Sequence, residues 1–175
     1  MTTRGQWLLI VVVAAVALGL GMFAGHWRTT PEAPNGMTPE RIYSSTFLDL
    51  DSRPQPLERW KDQVVVLNFW ATWCPPCRSE IPDFIKVQAK YAGKGFTFVG
   101  IALDERDKVA DFAKEFGVNY PLLIGGSEGF GFANTLGSRG ALPFSVVLDR
   151  KGNIVATQLG TLNPVELEKL LGPLL

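Results

Sequence analysis

Cys74 and Cys77 are separated by two residues and are the only cysteines in the 175-residue chain. Three kinds of site use such a pair: half of a metal site, a structural disulfide, or a redox-active dithiol. A zinc site of this kind requires a second pair of Cys or His ligands, but the single histidine, His26, lies far away near the N-terminus. A disulfide that closes so short a loop stabilises a fold by only about 2 kcal/mol. The spacing therefore favours a redox pair.

The residues around the pair indicate how the two sulfurs differ. An apolar run at residues 64–69 precedes the cysteines and a helical pattern follows them, so a strand should lead directly into a helix. With Cys74 at the N-cap, free N–H groups and the positive end of the helix dipole favour its thiolate, which makes Cys74 the attacking cysteine. Cys77, one turn later and more buried, is then the resolving thiol. Pro75 and Pro76 suit a helix start, where missing N–H groups cost nothing.

Charge and composition argue against nucleic acid as a partner. The chain carries 17 basic and 17 acidic residues, so its formal net charge is +0, and it has no run of Lys or Arg. The stretch that follows residue 38 has a length that is common for a single globular domain.

The N-terminal residues predict a membrane anchor. Residues 7–25 are continuously apolar and long enough to cross a bilayer. A signal peptidase site is disfavoured because Met22 stands where a small residue is required. We therefore predict an uncleaved anchor at residues 1–28, a tether at 29–38 and one globular domain at 39–175. Arg4 and the terminal amine place the domain outside the cytoplasm under the positive-inside rule.

Hydrophobic periodicity predicts a mixed α/β domain with helices on both faces of the sheet. The predicted strands are residues 45–51 (an edge strand or lead-in ended by Pro54 and Pro56), 64–69, 96–102, 120–124, 145–148 and 154–157. The last two form a hairpin. The predicted helices are a turn at 57–60, a helix after the cysteines, one within 104–116, a short one near 132–136 in a Gly-rich segment, and one capped by Asn163. The helix after the cysteines turns one face to the core, formed by Cys77, Ile81, Phe84, Ile85, Gln88 and Tyr91.

Two blocks of sequence resemble the thioredoxin-like superfamily, and most closely its membrane-anchored TlpA/ResA type of thiol-disulfide oxidoreductase. The first block runs from Asn68 through the two cysteines to Pro82, and the second from Leu142 to Asp149. The first block is highly specific, and the resemblance covers nearly everything after the tether. It implies a thioredoxin-like fold in which residues 104–120 are a helix-containing insert.

The resemblance also implies roles for individual residues. Cys74 matches the attacking cysteine and Cys77 the resolving one, while Pro143 matches the cis-proline beside the disulfide. The implied substrate-binding surface consists of Trp73, Pro75, Pro76, Leu142 and Pro143.

Glu80 is predicted to do the acid–base work of the site. Cytoplasmic thioredoxins carry a buried Asp where this chain has Asn68, which cannot exchange a proton. Glu80 lies one turn after Cys77, and helical side chains lean toward the N-terminus, so its carboxyl can approach the sulfurs. The TlpA/ResA type has a Glu at this place in its motif. An ordinary acidic residue that stabilises the first helical turn is the alternative.

The resemblance implies an enzyme of the bacterial inner membrane whose domain faces the periplasm. It would reduce disulfides of exported proteins, with apocytochrome c as one candidate, and would receive electrons from a membrane donor of the DsbD/CcdA type. No dissociable cofactor and no metal are expected, because the electrons reside in the cysteine pair. One alternative is an oxidant, which is disfavoured because Pro75 and Pro76 supply no charge that stabilises a thiolate. The other is a non-catalytic peptide-binding domain.

Overall fold

The computed structural model describes residues 36–175 of the chain. The predicted anchor and residues 29–35 of the predicted tether precede residue 36 and so lie outside the described residues. Within residues 36–175, no helix combines the length and the apolar character needed to span a bilayer.

Helices and strands alternate along most of this region. The helices are α1 (Pro39–Tyr43), α2 (Pro75–Tyr91), α3 (Arg106–Phe116), α4 (Gly126–Leu136) and α5 (Pro164–Leu171), and a 3-10 turn lies at Leu57–Trp60. The strands are β1 (Thr46–Asp49), β2 (Pro54–Pro56), β3 (Val64–Trp70), β4 (Phe96–Ala102), β5 (Leu122–Ile124), β6 (Phe144–Leu148) and β7 (Ile154–Leu159).

All seven strands form one mixed sheet in the order β2-β1-β5-β4-β3-β6-β7. β3 pairs parallel with β4 along its whole length and antiparallel with β6. β6 and β7 form the predicted antiparallel hairpin. The predicted mixed sheet is therefore confirmed, and β3, which leads to the cysteines, is an interior strand.

β3 is buried on both sides, and its alternating residues belong to two different cores. On one side, which we call the apolar face, α1 and α4 pack against Val65, Leu67 and Phe69. On the other side, which we call the disulfide face, α2, α3 and α5 pack against Val64, Val66 and Trp70, and Asn68 is hydrogen-bonded to α2. The prediction of helices on both faces is confirmed.

Helix α2 begins directly after Cys74 and continues through Pro82 to Tyr91. Three residues of its predicted core face, Cys77, Ile81 and Phe84, are fully buried. The remaining three are only partly buried, whereas Glu80 and Val87 are buried instead. The buried face of α2 therefore differs from the predicted one. It includes Glu80, which the prediction missed because it selected core positions by their apolar side chains.

The prediction for residues 45–56 is wrong in one respect and incomplete in another. β1 is not an edge strand, because it lies between β2 and β5. The strand does end before Pro54, at Asp49, but Pro54 and Pro56 then belong to the short strand β2, which is the edge of the sheet. An edge strand tolerates proline because its outward N–H positions need no partner.

The Gly-rich segment is more helical than predicted. A short helix near 132–136 was expected, but α4 extends from Gly126 to Leu136. A Cβ atom at Gly129 would lie 3.0 Å from Cδ2 of Leu103, so the missing side chain permits close packing against the end of β4. This packing outweighs the cost of about 1 kcal/mol that a glycine imposes within a helix. β5 also begins two residues later than predicted, at Leu122.

Candidate active site

The two cysteines lie where β3 passes into α2. Cys74 has extended backbone angles and is the N-cap of α2, and its Sγ accepts a hydrogen bond from the N–H of Cys77 at 3.3 Å. The predicted N-cap position of Cys74 is therefore confirmed. At this position the sulfur lies at the positive end of a helix of 17 residues.

Cys74 and Cys77 are joined in a disulfide, so the structure represents the oxidised chain. Cys74 is 3% exposed and Cys77 is 0% exposed, which confirms that Cys77 is the more buried of the two. The preceding residue, Trp73, is 67% exposed. An incoming thiol or disulfide can therefore approach only on the side of Cys74.

Most of the predicted substrate-binding residues meet in one groove of about 470 Å³ beside the disulfide. Its lining includes Cys74 together with Trp73, Pro75, Pro76 and Leu142. The Leu142–Pro143 peptide bond is cis, as predicted. Pro143 itself is not part of the lining, and its carbonyl accepts a hydrogen bond from the N–H of Gly160.

The opposite wall of the groove was not predicted. It is formed by residues of the Gly-rich region and the end of β4, namely Leu103, Gly126, Phe130 and Gly140. The ring of Phe130 is 45% exposed. The only sequence feature that marks this wall is a phenylalanine between glycines, which does not by itself indicate a binding surface.

Glu80 is almost completely buried, at 5% exposed, and both of its oxygens accept hydrogen bonds. Oε1 accepts from Nδ2 of Asn68 at 3.0 Å, and Oε2 accepts from the N–H of Leu162 at 2.9 Å. Burial raises the pKa of Glu80 to about 7, while the bonds from Leu162 and Asn68 act in the opposite direction. A carboxyl with such a pKa can both take up and release a proton near neutral pH.

Asn68 connects this carboxyl to the sheet. Its Nδ2 also donates to Oγ of Ser145 on the neighbouring strand β6, at 3.0 Å. Asn68 and Ser145 are both 0% exposed. Ser145 and Leu162 were not predicted as part of the site, because they lie 65 residues or more after Glu80 in the chain and only the folded sheet brings them together.

The loop that carries Trp73 is held through Thr72. Oδ2 of Asp104 accepts hydrogen bonds from the hydroxyl of Thr72 at 2.5 Å and from its N–H at 3.1 Å. Nη1 of Arg78 donates to the carbonyl of Thr72 at 3.3 Å, and its guanidinium lies 5.0 Å from the centre of the Phe112 ring. Burial raises the pKa of Asp104, but hydrogen bonds from Thr72 and from the N–H of Glu105 outweigh it and hold the pKa below its usual value.

Helix α3 and the residue before its N-cap thus help to fix the active-site loop. The predicted helix in residues 104–120 is confirmed as α3. Its contacts with the loop were not predicted, because the sequence indicated only that Asp104 begins a helical segment and that Phe112 is a core position of that helix.

Comparison with known proteins agrees with this geometry. The family model described as Redoxin matches residues 33–171. The thiol-disulfide oxidoreductase ResA of Bacillus thuringiensis (strain Al Hakam) is 29% identical over 162 residues, which cover 92% of this chain and 90% of that protein. The thioredoxin-like protein YneN of Bacillus subtilis (strain 168) is 33% identical over 126 residues, which cover 70% of this chain and 71% of that protein.

A solved structure is similar as well. The thiol:disulfide interchange protein of the thioredoxin family from Chlorobium tepidum TLS superimposes with a TM-score of 0.68 at 33% sequence identity, covering 76% of this chain and 94% of that chain. The described domain therefore has the thioredoxin-like fold that the sequence resemblance implies.

Proposed function

The chain belongs to the Redoxin family and is a thiol-disulfide oxidoreductase, and from this premise we propose that Cys74 and Cys77 reduce disulfides of exported proteins. The observation that carries the proposal is the position of the pair: an N-cap sulfur beside an exposed Trp73, with the second sulfur fully buried one turn later. Only one sulfur is placed to meet a partner, while the other is placed to complete the exchange.

The proposed reaction passes two electrons to the substrate. The thiolate of Cys74 attacks one sulfur of the substrate disulfide, which forms a mixed disulfide and releases the first substrate thiolate. The Cys77 thiol gives up its proton and attacks Sγ of Cys74. This releases the second substrate thiolate and leaves the Cys74–Cys77 disulfide seen in the structure.

Trapping the mixed disulfide tests the order of attack. Cys77→Ser should accumulate a covalent complex with a peptide that carries an internal disulfide, because the resolving thiol is missing. Cys74→Ser should accumulate none, and the double variant is the control for non-specific exchange. A complex that forms with Cys74→Ser and not with Cys77→Ser would reverse the assignment.

Glu80 is proposed to accept the Cys77 proton during resolution. The support is its burial, its two hydrogen bonds and a pKa of about 7. Positioned general bases of this kind contribute about 10² to 10⁴ in rate. Glu80→Gln should slow resolution and lower the pKa of Cys74 in the reduced chain, because a like charge near the thiolate is removed. Unchanged thiolate titration and turnover would make Glu80 a structural acid.

The direction of electron flow is proposed to be reductive. Pro75 and Pro76 place no charged or hydrogen-bonding side chain between the sulfurs, so the thiolate lacks the stabilisation that makes strong oxidants. The equilibrium reduction potential of the pair against glutathione is the test. A potential well below about −200 mV supports a reductant, whereas one near about −120 mV would indicate a disulfide-forming enzyme.

The location and partners are proposed from the N-terminal sequence and the family. Residues 1–28 would anchor the chain in the inner membrane with the domain in the periplasm. There a membrane donor of the DsbD/CcdA type would reduce it, and apocytochrome c would be one substrate. No dissociable cofactor or metal enters the proposed exchange. Recovery of a soluble periplasmic chain that begins near residue 25 would contradict the anchor, and fully reduced apocytochrome c in cells lacking this chain would contradict that substrate.

A further inference from the structure

The side-chain amide of Asn68 is half satisfied. Nδ2 donates to both Glu80 and Ser145, but Oδ1 is buried and has no hydrogen-bond partner among the described residues. A buried carbonyl oxygen without a donor costs free energy comparable to a lost hydrogen bond. Such an atom in a site that moves protons calls for a physical explanation.

The contacts that Asn68 makes suit only one protonation state of Glu80. A carboxylate accepts hydrogen bonds and therefore matches the Nδ2 donor, whereas a protonated carboxyl also carries an O–H that must donate. Oε1 of Glu80 lies next to the Asn68 amide, which has its donor, Nδ2, at one end and its acceptor, Oδ1, at the other. Oγ of Ser145 can either donate or accept.

We propose that Asn68 is a positioning residue for Glu80, and that its amide turns by half a rotation about χ2 when the carboxyl gains a proton. In the carboxylate state Nδ2 donates to Glu80 and Ser145, as in the structure. In the acid state Oδ1 takes the place of Nδ2 and accepts from the O–H of Glu80 and the O–H of Ser145. This inference rests on the proposed role of Glu80 as the acceptor of the Cys77 proton.

The exchange keeps the network balanced. The two ends of a primary amide have nearly the same size, so the rotation needs no shift of the backbone. Each orientation makes two hydrogen bonds and leaves one amide end unpaired, so the amide itself adds no large preference for either protonation state. A leucine at this position would make neither bond, and an aspartate would add a second carboxyl that competes for the same proton.

The other groups around Glu80 do not titrate in the same range. β3 and β6 face it with Asn68 and Ser145, and the segment before α5 faces it with the N–H of Leu162. Tyr120 approaches from the segment before β5, and burial raises its pKa, so it stays neutral while Glu80 titrates. On α2 itself, Cys74 and Cys77 are joined in the disulfide and do not titrate.

Nuclear magnetic resonance of the oxidised full-length chain in detergent micelles, with ¹⁵N-labelled asparagine, tests the rotation directly. The side-chain N–H resonances of Asn68 should follow a single titration with a midpoint near that of Glu80, about pH 7. Nuclear Overhauser contacts from these protons to the γ protons of Glu80 should be strong above the midpoint and lost below it. Asn119, whose Nδ2 donates to the carbonyl of Ile85, is an internal control that should not respond.

Two variants complete the test. Glu80→Gln should leave the Asn68 resonances constant with pH, because a glutamine does not titrate. Asn68→Leu should leave the pH midpoint of mixed-disulfide resolution close to that of wild type, because a rotating amide makes one hydrogen bond to Glu80 in each protonation state and the variant loses both. A fixed asparagine, whose Nδ2 bond only holds the pKa of Glu80 down, would instead move this midpoint upward when it is removed. If Asn68→Leu does not fold, the titration of the wild-type amide still decides the question.

The outcomes separate this inference from the proposed function. A Glu80 carboxyl that titrates while the Asn68 contacts stay constant would overturn the rotation, as would an Asn68 response that persists in Glu80→Gln. In both cases trapping of substrate by Cys77→Ser would remain intact. Absence of that trapped complex would instead refute the proposed function.

Discussion

The two faces of β3 are equally buried but differ in chemistry. The apolar face presents only hydrocarbon and aromatic side chains to α1 and α4. The disulfide face presents one amide, that of Asn68, to a helix that carries both sulfurs and a buried carboxyl. A buried polar group is costly unless it is hydrogen-bonded. The comparison shows that β3 carries its one polar side chain on the face that holds the disulfide, where Nδ2 of Asn68 is hydrogen-bonded to Glu80 and Ser145.

Phe69→Ala should break the apolar face with the largest loss of stability. Truncation of a fully buried phenylalanine costs about 3 to 5 kcal/mol of unfolding free energy, while the reduction potential of the surviving folded molecules should stay unchanged. Phe84→Ala is the matched variant on the disulfide face, since Phe84 is also fully buried and follows Glu80 by one turn. Denaturant unfolding and glutathione equilibration measure both quantities. An equal potential shift in both variants would abolish the distinction between the faces.

Glu80→Gln should stabilise the protein at alkaline pH. The folded chain holds the Glu80 proton up to about pH 7, whereas the unfolded chain releases it near the ordinary glutamate pKa of 4.5, so wild-type stability falls as the pH rises through this window. The shift corresponds to about 3 kcal/mol. The variant should gain about that much at pH 9 and almost nothing at pH 4, as measured by denaturant unfolding at each pH.

Glu115→Gln provides the control for this pH dependence, because Glu115 is exposed on α3. Its unfolding curve should follow wild type at every pH. The unfolding free energy of Glu80→Gln could instead change with pH in parallel with that of wild type. The protonation of Glu80 would then not be coupled to folding, and the two faces of β3 would not differ in the pH dependence of their stability.

Asp104→Ala tests whether the disulfide face depends on its attachment to α3. The change removes hydrogen bonds from the N–H and hydroxyl of Thr72 to a charged group, each worth about 1.5 to 3 kcal/mol when buried. Because Asp104 is partly exposed, we expect a loss of about 2 kcal/mol and slower attack by Cys74. Asp111→Ala, at an exposed position on α3, should change stability by less than about 0.5 kcal/mol. Equal effects of the two variants would remove Asp104 from the site.

Trp73→Ala should have the smallest effect on folding. The side chain is 67% exposed, so the stability change should stay within about 0.5 kcal/mol, while the apparent KM for a peptide disulfide rises because one wall of the groove is lost. Val165→Ala, also exposed, is the control and should change neither quantity. A turnover defect without a change in KM would place Trp73 in the exchange step and not in substrate binding.

The sequence predicted those parts of the site that depend on neighbours in the chain. A six-residue apolar run followed by two cysteines and two prolines leaves little choice other than a buried strand that leads into a helix, and Cys74 is indeed its N-cap. The bonds from Glu80 to Leu162 and from Asn68 to Ser145 depend instead on sheet order and on side-chain direction. The extent of α4 was missed because Gly129 lowers helix propensity, while its packing against Leu103 exists only in the folded chain.

The hydrogen bond from Leu162 to Glu80 also makes the backbone a reporter of the site. A buried amide exchanges its hydrogen with solvent only when its bond opens, and a carboxylate holds such an N–H more strongly than a neutral carboxyl does. The exchange rate of the Leu162 amide therefore carries information about the charge on Glu80, far from it in sequence and without any label on the cysteines. Hydrogen–deuterium exchange at this one peptide group can compare the charge on Glu80 between the resting oxidised and reduced chains.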